Sequence, residues 1–224
     1  MIKKNFHDEA IIKLKNNFNN DNKIKCNIGK IIKSFMSSFN KENKIILTLE
    51  INHSEIGKKI YFLQNFDYIW KDEEKFMLKH KLNMNNYIIF IDDKIYESKN
   101  YFIPEKSGIY NIIIFINSAI KDSFGLFYSC RNIINIDLFS FDTNNAIDMS
   151  YMFYNCLNLK NINLDQFDTN NVINMSYMFH NCQSLTNIDL SSFDTKKVIN
   201  MEYMFYSFKS LTNIDLSSFD KKKL

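Results

Sequence analysis

No run of about 20 apolar residues occurs anywhere in the chain, so nothing in it reads as a membrane-spanning helix. The opening MIKKNFHDEAIIKLKNNF is broken by charge every few residues and has no small-residue cleavage site, so no secretory signal is expected. Glycine occurs four times, never after Gly125, and proline once, at Pro104. A glycine-rich phosphate cradle is therefore excluded from everything beyond that point. Histidine also occurs four times, at His7, His53, His80 and His180, each standing alone, and no GxSxG, HExxH or CxxC pattern appears. Catalysis is not expected, nor is a metal or cofactor. An excess of one charge is missing as well. The 28 basic and 25 acidic residues leave a net charge of +3, too mild for a nucleic-acid partner, whose binders concentrate Lys and Arg on one face. These absences lead to the expectation of a non-enzymatic cytoplasmic protein. A cell-surface location would require an N-terminus that begins upstream of Met1.

What is present is apolar and aromatic: 46% hydrophobic residues, 15% aromatic, ample for a core. Residues 1–42 carry two helical patterns, Ile11, Ile12, Leu14 and Phe18, then Ile31, Ile32, Phe35, Met36 and Phe39. From Lys44 the period changes to that of strands, in KIILTLEIN, KKIYFLQN, NYIIFIDDKIYE and IYNIIIFI. Asp92-Asp93 suits a tight hairpin, although the usual Gly is missing. Residues 43–105 are expected to form a small antiparallel β unit, which with the helical segment makes an α+β head.

The rest repeats. Rows of 26 residues run over 133–158, 159–184, 185–210 and a partial 211–224. The fixed columns are Ile133/Leu159/Leu185/Leu211, Ile136/Ile162/Ile188/Ile214, Leu138/Leu164/Leu190/Leu216 and Phe141/Phe167/Phe193/Phe219. They continue as Ala146/Val172/Val198, Met149/Met175/Met201, Met152/Met178/Met204 and Phe153/Phe179/Phe205. The register extends backward through Tyr110, Ile112, Phe115 and Leu126-Phe127, so 107–132 reads as a degenerate first coil. Such periodicity marks an array in which each unit buries its apolar face on the next, because one unit alone cannot offset its own ordering entropy. The LxxIxL opening of each row has the spacing of a leucine-rich-repeat strand.

The rows LTNIDLSSFDTKKVINMEYMF and LKNINLDQFDTNNVINMSYMFHNC resemble the BspA-like leucine-rich-repeat family of bacterial surface lipoproteins and protist proteins. The likeness covers roughly 120–224 through a recurring FDT…V..M..MF..C pattern. It implies an α/β fold, a short right-handed solenoid with one parallel strand per row, used for protein–protein contact and often for adhesion. The expected strands lie near 135–138, 161–164, 187–190 and 213–216.

Cys130, Cys156 and Cys182 fall in one column that ends in Phe208, so they read as reduced, buried thiols. His180 shares a column with Tyr154 and Tyr206 and reads as a surface aromatic position. In the FDT column, Asp142, Asp168, Asp194 and Asp220 with Thr143, Thr169 and Thr195 are expected to accept backbone N–H groups where the return segment begins. The candidates for recognition are the solvent-facing strand columns. One holds Asn135, Asn161, Asn187 and Asn213, which are also suited to a structural amide ladder. The other holds Asp137, Asn163, Asp189 and Asp215, whose like charges repel at strand spacing and would suit a basic partner. A second candidate is the column Tyr151, Tyr177 and Tyr203. The expected function is a non-catalytic protein–protein interaction module. The alternative is a structural or adhesive surface protein, or a fragment of one, with the solenoid as spacer. The fourth row stops before its return segment, and its open apolar layer is expected to favour self-association.

Overall fold

Strand β1, Lys44–Ile51, alternates so that Ile45, Leu47 and Leu49 are fully buried while Thr48 and Glu50 point outward. This period-2 pattern makes it a central strand with one face in the core. The computed structural model that contains it describes residues 43–68, 80–84, 87–96, 99–116 and 122–220. The helical patterns expected within 1–42 lie outside the described residues. The other strands are β2 (Ile60–Tyr61), β3 (Tyr87–Ile91), β4 (Lys94–Tyr96), β5 (Tyr101–Phe102), β6 (Gly108–Ile116), β7 (Ile133–Ser140) and β8 (Asn161–Asn163). Six of them form one sheet in the order β4-β3-β6-β1-β7-β8, and β2 pairs β5 separately. β1 runs antiparallel to β6 along its whole length and antiparallel to β7 on its other side. Asp92 and Asp93 join β3 to β4 with φ of 46° and 63°. Both are left-handed, as a two-residue hairpin requires, and Asp tolerates that region better than most residues.

The expected α/β solenoid with a parallel strand in every row is not what the described residues form, and the helical part of the expected α+β head lies outside them. The described residues are nearly all strand and turn. Helical pieces among them include two three-residue 3-10 turns, His53–Glu55 and Phe66–Tyr68, and no α-helix occurs among the described residues. The sheet is mixed, and its one parallel pair is β7 with β8, matching Asn135 to Asn161, Ile136 to Ile162 and Asp137 to Asn163. Segments 187–190 and 213–216 form no strand. β6, which the 26-residue register assigns to the first row, instead pairs antiparallel with β1 and β3. The physical reason is the location of the row-to-row bonds. β7 has eight residues because β1 holds it, and β8 has three because only β7 does. Beyond them, the bonds that tie one row to the next lie chiefly in the turns.

Those turn segments, here called rungs, span 122–129, 148–155, 174–181 and 200–207. The N–H groups of Ser123, Gly125, Phe127 and Ser129 donate to the carbonyls of Asp148, Ser150, Met152 and Tyr154 at 2.7–3.0 Å. Met149, Tyr151, Phe153 and Asn155 donate likewise to Asn174, Ser176, Met178 and His180, and the next rung repeats the pattern. The other half of each rung's backbone closes local turns, such as Tyr154 N–H to the Tyr151 carbonyl at 3.0 Å. At the head of this ladder the carbonyls of Leu126 and Tyr128 accept from the backbone N–H groups of Gln64 and Asn65, at 2.9 and 2.8 Å. The β sheet and the rungs share one continuous apolar core that runs from Ile45 to Phe219. Its inner columns are Phe127/Phe153/Phe179/Phe205, with neighbouring rings 5.0–6.1 Å apart, and the fully buried Met149, Met152, Met175 and Met178.

Cys130, Cys156 and Cys182 are free and fully buried in that core. The Cys156 and Cys182 thiols donate to the carbonyls of Phe127 and Phe153 at 3.1 and 3.2 Å. Burial pushes the Cys156 thiol up to about 12, and it raises Cys130 and Cys182 well above the usual thiol value, helped by the neighbouring Cys156. At pH 8 all three should resist alkylation in the native protein and react after denaturation, read by site-resolved mass spectrometry. Labelling of the native chain at any of them would contradict the burial. An unfolded thiol ionises near about 8.5. The stability each protonated thiol contributes is therefore complete below that pH and is lost as pH rises from there through the folded value.

Candidate functional site

Each rung turns left-handed at two places four residues apart. The first position holds Gly125, Tyr151, Tyr177 and Tyr203, with φ of 55°, 59°, 58° and 56°. The second holds Ser129, Asn155, Asn181 and Ser207, with φ of 54°, 59°, 62° and 65°. Glycine or asparagine is the low-cost choice for such a backbone, and a bulky residue there costs on the order of 1–2 kcal/mol. The second column follows that rule at Asn155 and Asn181, where Asn181 Nδ2 adds a bond to Asn155 Oδ1 at 2.6 Å, and carries the small Ser129 and Ser207 at its ends. The first follows it only at Gly125, then places three tyrosines in succession.

Those rings stack. Tyr151 lies 4.8 Å from Tyr177 at 10°, and Tyr177 lies 5.0 Å from Tyr203 at 21°. A second file runs beside the first: Tyr128, Tyr154, His180 and Tyr206, at spacings of 4.9, 4.8 and 5.2 Å. The files touch through Tyr151–Tyr154 at 5.5 Å and Tyr177–His180 at 5.5 Å. Burial lowers the His180 imidazole's proton affinity, which favours the neutral ring in this stack. Tyr128 is buried, and Tyr151, Tyr154, Tyr177 and His180, lying face to face, are only half-buried, whereas the end of the files is open. There Tyr203 and Tyr206 are 54% and 58% exposed. Immediately before these turn segments Ile147, Ile173 and Ile199 point outward, at 48%, 43% and 82% exposure. Sequence reading missed this isoleucine column, although its 26-residue recurrence outside the core columns was a visible signal.

The strand-face candidates have an architectural role. Asp137, Asn163, Asp189 and Asp215 each accept, through Oδ1, the N–H two residues on, from Phe139, Asp165, Ser191 and Ser217 at 2.8–3.1 Å. This turn needs an oxygen at that position rather than a charge, which explains why Asp and Asn alternate there. The Ser191 N–H lowers the Asp189 carboxyl below its ordinary value by favouring the ionised form. Asp137 and Asn163 come together with Lys44 and Phe139 around a shallow depression of about 230 Å³. Asn135 and Asn161 sit side by side in the β7–β8 register, and Asn187 and Asn213 follow, exposed. No hydrogen bond joins the four side chains.

The FDT column accepts N–H groups without a helix following. Asp142, Asp168 and Asp194 take those of Asn144, Asn170 and Lys196 at 2.8–3.0 Å. Thr143, Thr169 and Thr195 take the N–H of the next row's Asp168, Asp194 and Asp220 at 2.7–2.8 Å. No group of three or more His, Cys, Asp or Glu side chains among the described residues is arranged to hold a metal. Among the same residues, no helix is long and apolar enough to cross a membrane.

Residues 121–224, which carry the rungs and both aromatic files, match a family described as Mycoplasma protein of unknown function, DUF285. No curated protein and no solved structure matches the chain.

Two expected outcomes test these roles. Asp189→Asn should leave the melting temperature nearly unchanged, because Asn163 already serves that turn, whereas Asp189→Ala should cost up to about 1 kcal/mol. Tyr203→Gly should change stability by less than about 1 kcal/mol, since relief of the left-handed backbone offsets loss of one stacked neighbour. Tyr203→Val, β-branched at the same φ, should destabilise the fold by about 2 kcal/mol or more. Thermal or urea melts decide both.

Proposed function

We propose that the chain is a non-catalytic polypeptide-binding module whose recognition surface is the aromatic face of its rungs. The observation that carries this reading is the run Tyr151, Tyr177, Tyr203 at left-handed φ. Stability alone would favour Gly or Asn there, as the chain has at Gly125 and, in the adjacent column, at Asn155 and Asn181. Stacking returns some of the cost for Tyr151 and Tyr177, each flanked by rings on both sides, but Tyr203 has only one stacked tyrosine and is half exposed. Rings with an apolar body and a hydroxyl tip, beside outward isoleucines, are the composition of protein-binding patches. The BspA-like resemblance lies on the same rows and supports an interaction or adhesive role. The strand-face aspartates rank second, because their turn bonds already account for them.

Immobilised protein that captures a partner from cell extract should lose at least about 90% of that capture when Tyr177→Gly and Tyr203→Gly are combined, since aromatic residues dominate interface energetics. Asp189→Asn should retain it. Capture that survives the tyrosine pair but disappears in Asp189→Lys with Asp215→Lys would move the recognition surface to the strand face and overturn this reading.

A further inference from the structure

The second aromatic file breaks its own pattern once. Tyr128, Tyr154 and Tyr206 hold three of its places, and the same place in rung 174–181 holds His180. His180 is an interior member, with Tyr154 on one face at 4.8 Å and 15° and Tyr206 on the other at 5.2 Å and 19°. Tyr177 of the first file lies beside it at 5.5 Å. The backbone holds the ring in line, because His180 N–H donates to the Tyr177 carbonyl at 3.1 Å and its carbonyl accepts from Asn155 N–H at 3.0 Å. Its Nδ1 is buried and meets no hydrogen-bond partner among the described residues.

No group in contact with the ring would neutralise a positive charge on it. Rung 174–181 carries no charged side chain, and the two flanking rungs bring one carboxylate each, Asp148 and Glu202. Asp148 is engaged elsewhere, accepting from Ser150 through Oδ1 and from the Asn174 amide through Oδ2. No ion pair joins either carboxylate to His180. The remaining titratable groups on the three rungs are tyrosines, which carry no charge in neutral or acidic solution. Both nitrogens of an imidazolium are donors, whereas the neutral ring avoids a buried N–H at Nδ1 by carrying its hydrogen on Nε2. Protonation therefore leaves a charged, buried donor unmet, which costs more than an unmet neutral acceptor.

We propose that His180 makes the aromatic face acid-sensitive: when its ring takes up a proton it turns out of the stack to reach water, and the file divides between Tyr154 and Tyr206. Burial of the ring, which favours its neutral form, acts in the same direction. An unfolded histidine titrates near about 6.5. The stability that the neutral ring contributes is thus complete above that pH and is lost as pH falls through the lower folded value. The first file, with tyrosine at all three of its stacked places, has no such response. On the recognition reading, the same protonation would loosen a bound polypeptide in acidic surroundings. The inference rests on the stack alone, and both measurements are made on the protein without a partner, so the two ideas fail separately.

The first measurement uses the unaltered full chain. The ring signal of His180, assigned through its backbone, is followed by NMR between about pH 8 and pH 5. Its midpoint should fall below the ordinary histidine value of about 6.5, and Overhauser contacts from His180 to the rings of Tyr154 and Tyr206 should vanish below that midpoint. A midpoint at or above the ordinary value would overturn the proposal, since attraction of the cation to the tyrosine faces would then outweigh burial. So would ring contacts that persist in the protonated state. The second measurement compares melts with His180→Tyr, which supplies the residue that the column holds in the other three rungs. Between about pH 7.5 and pH 5 the native chain should lose at least about 2 °C more in melting temperature than the variant. Equal losses would overturn the proposal, and if the variant does not fold, the measurement on the unaltered chain still decides.

Discussion

Half of the backbone in each rung is committed to the next rung, and the rest of the structure follows from that. Alternate N–H groups, such as those of Met149, Tyr151, Phe153 and Asn155, all point toward one neighbour. The intervening carbonyls point toward the other. Local turns use the remaining groups, as in Met152 N–H to the Met149 carbonyl. Sorting donors and acceptors to opposite edges in this way accompanies the left-handed residues at every fourth place. A single rung would expose a full row of donors and a full row of acceptors, so the unit has to be stacked to satisfy its polar backbone as well as to bury its methionines and phenylalanines.

The β head supplies what the ladder cannot provide for itself at its first end. Gln64 and Asn65 meet the carbonyls of the first rung, and both are themselves buried. The Gln64 side chain is held in turn by the His80 carbonyl and the Leu82 N–H, each at 2.8 Å. β1 does the equivalent work on the strand side by pairing with β7. Once β1 is flanked by β6 and β7, β6 is no longer available to start the row pattern, although its letters fit the register. Tertiary pairing therefore outweighs sequence periodicity for this segment.

The inward columns were legible because burial is written in apolar letters at a fixed spacing. Ile133, Leu159, Leu185, Val172, Val198 and the three cysteines all lie in the core. The hairpin at Asp92-Asp93 was legible for a similar reason, since turn chemistry is local. The strands expected in the third and fourth rows were not formed. LxxIxL specifies which side chains turn inward, and a turning backbone meets that requirement as well as a ladder does. The tyrosine column Tyr151, Tyr177 and Tyr203 was visible as a recurrence, but its left-handed backbone gave no signal, because tyrosine is a poor residue for that region and nothing in the letters marks φ. The aspartate column reads as charge that would suit a basic partner. Its Oδ1 also accepts the N–H two residues on, a turn role that the letters alone do not reveal.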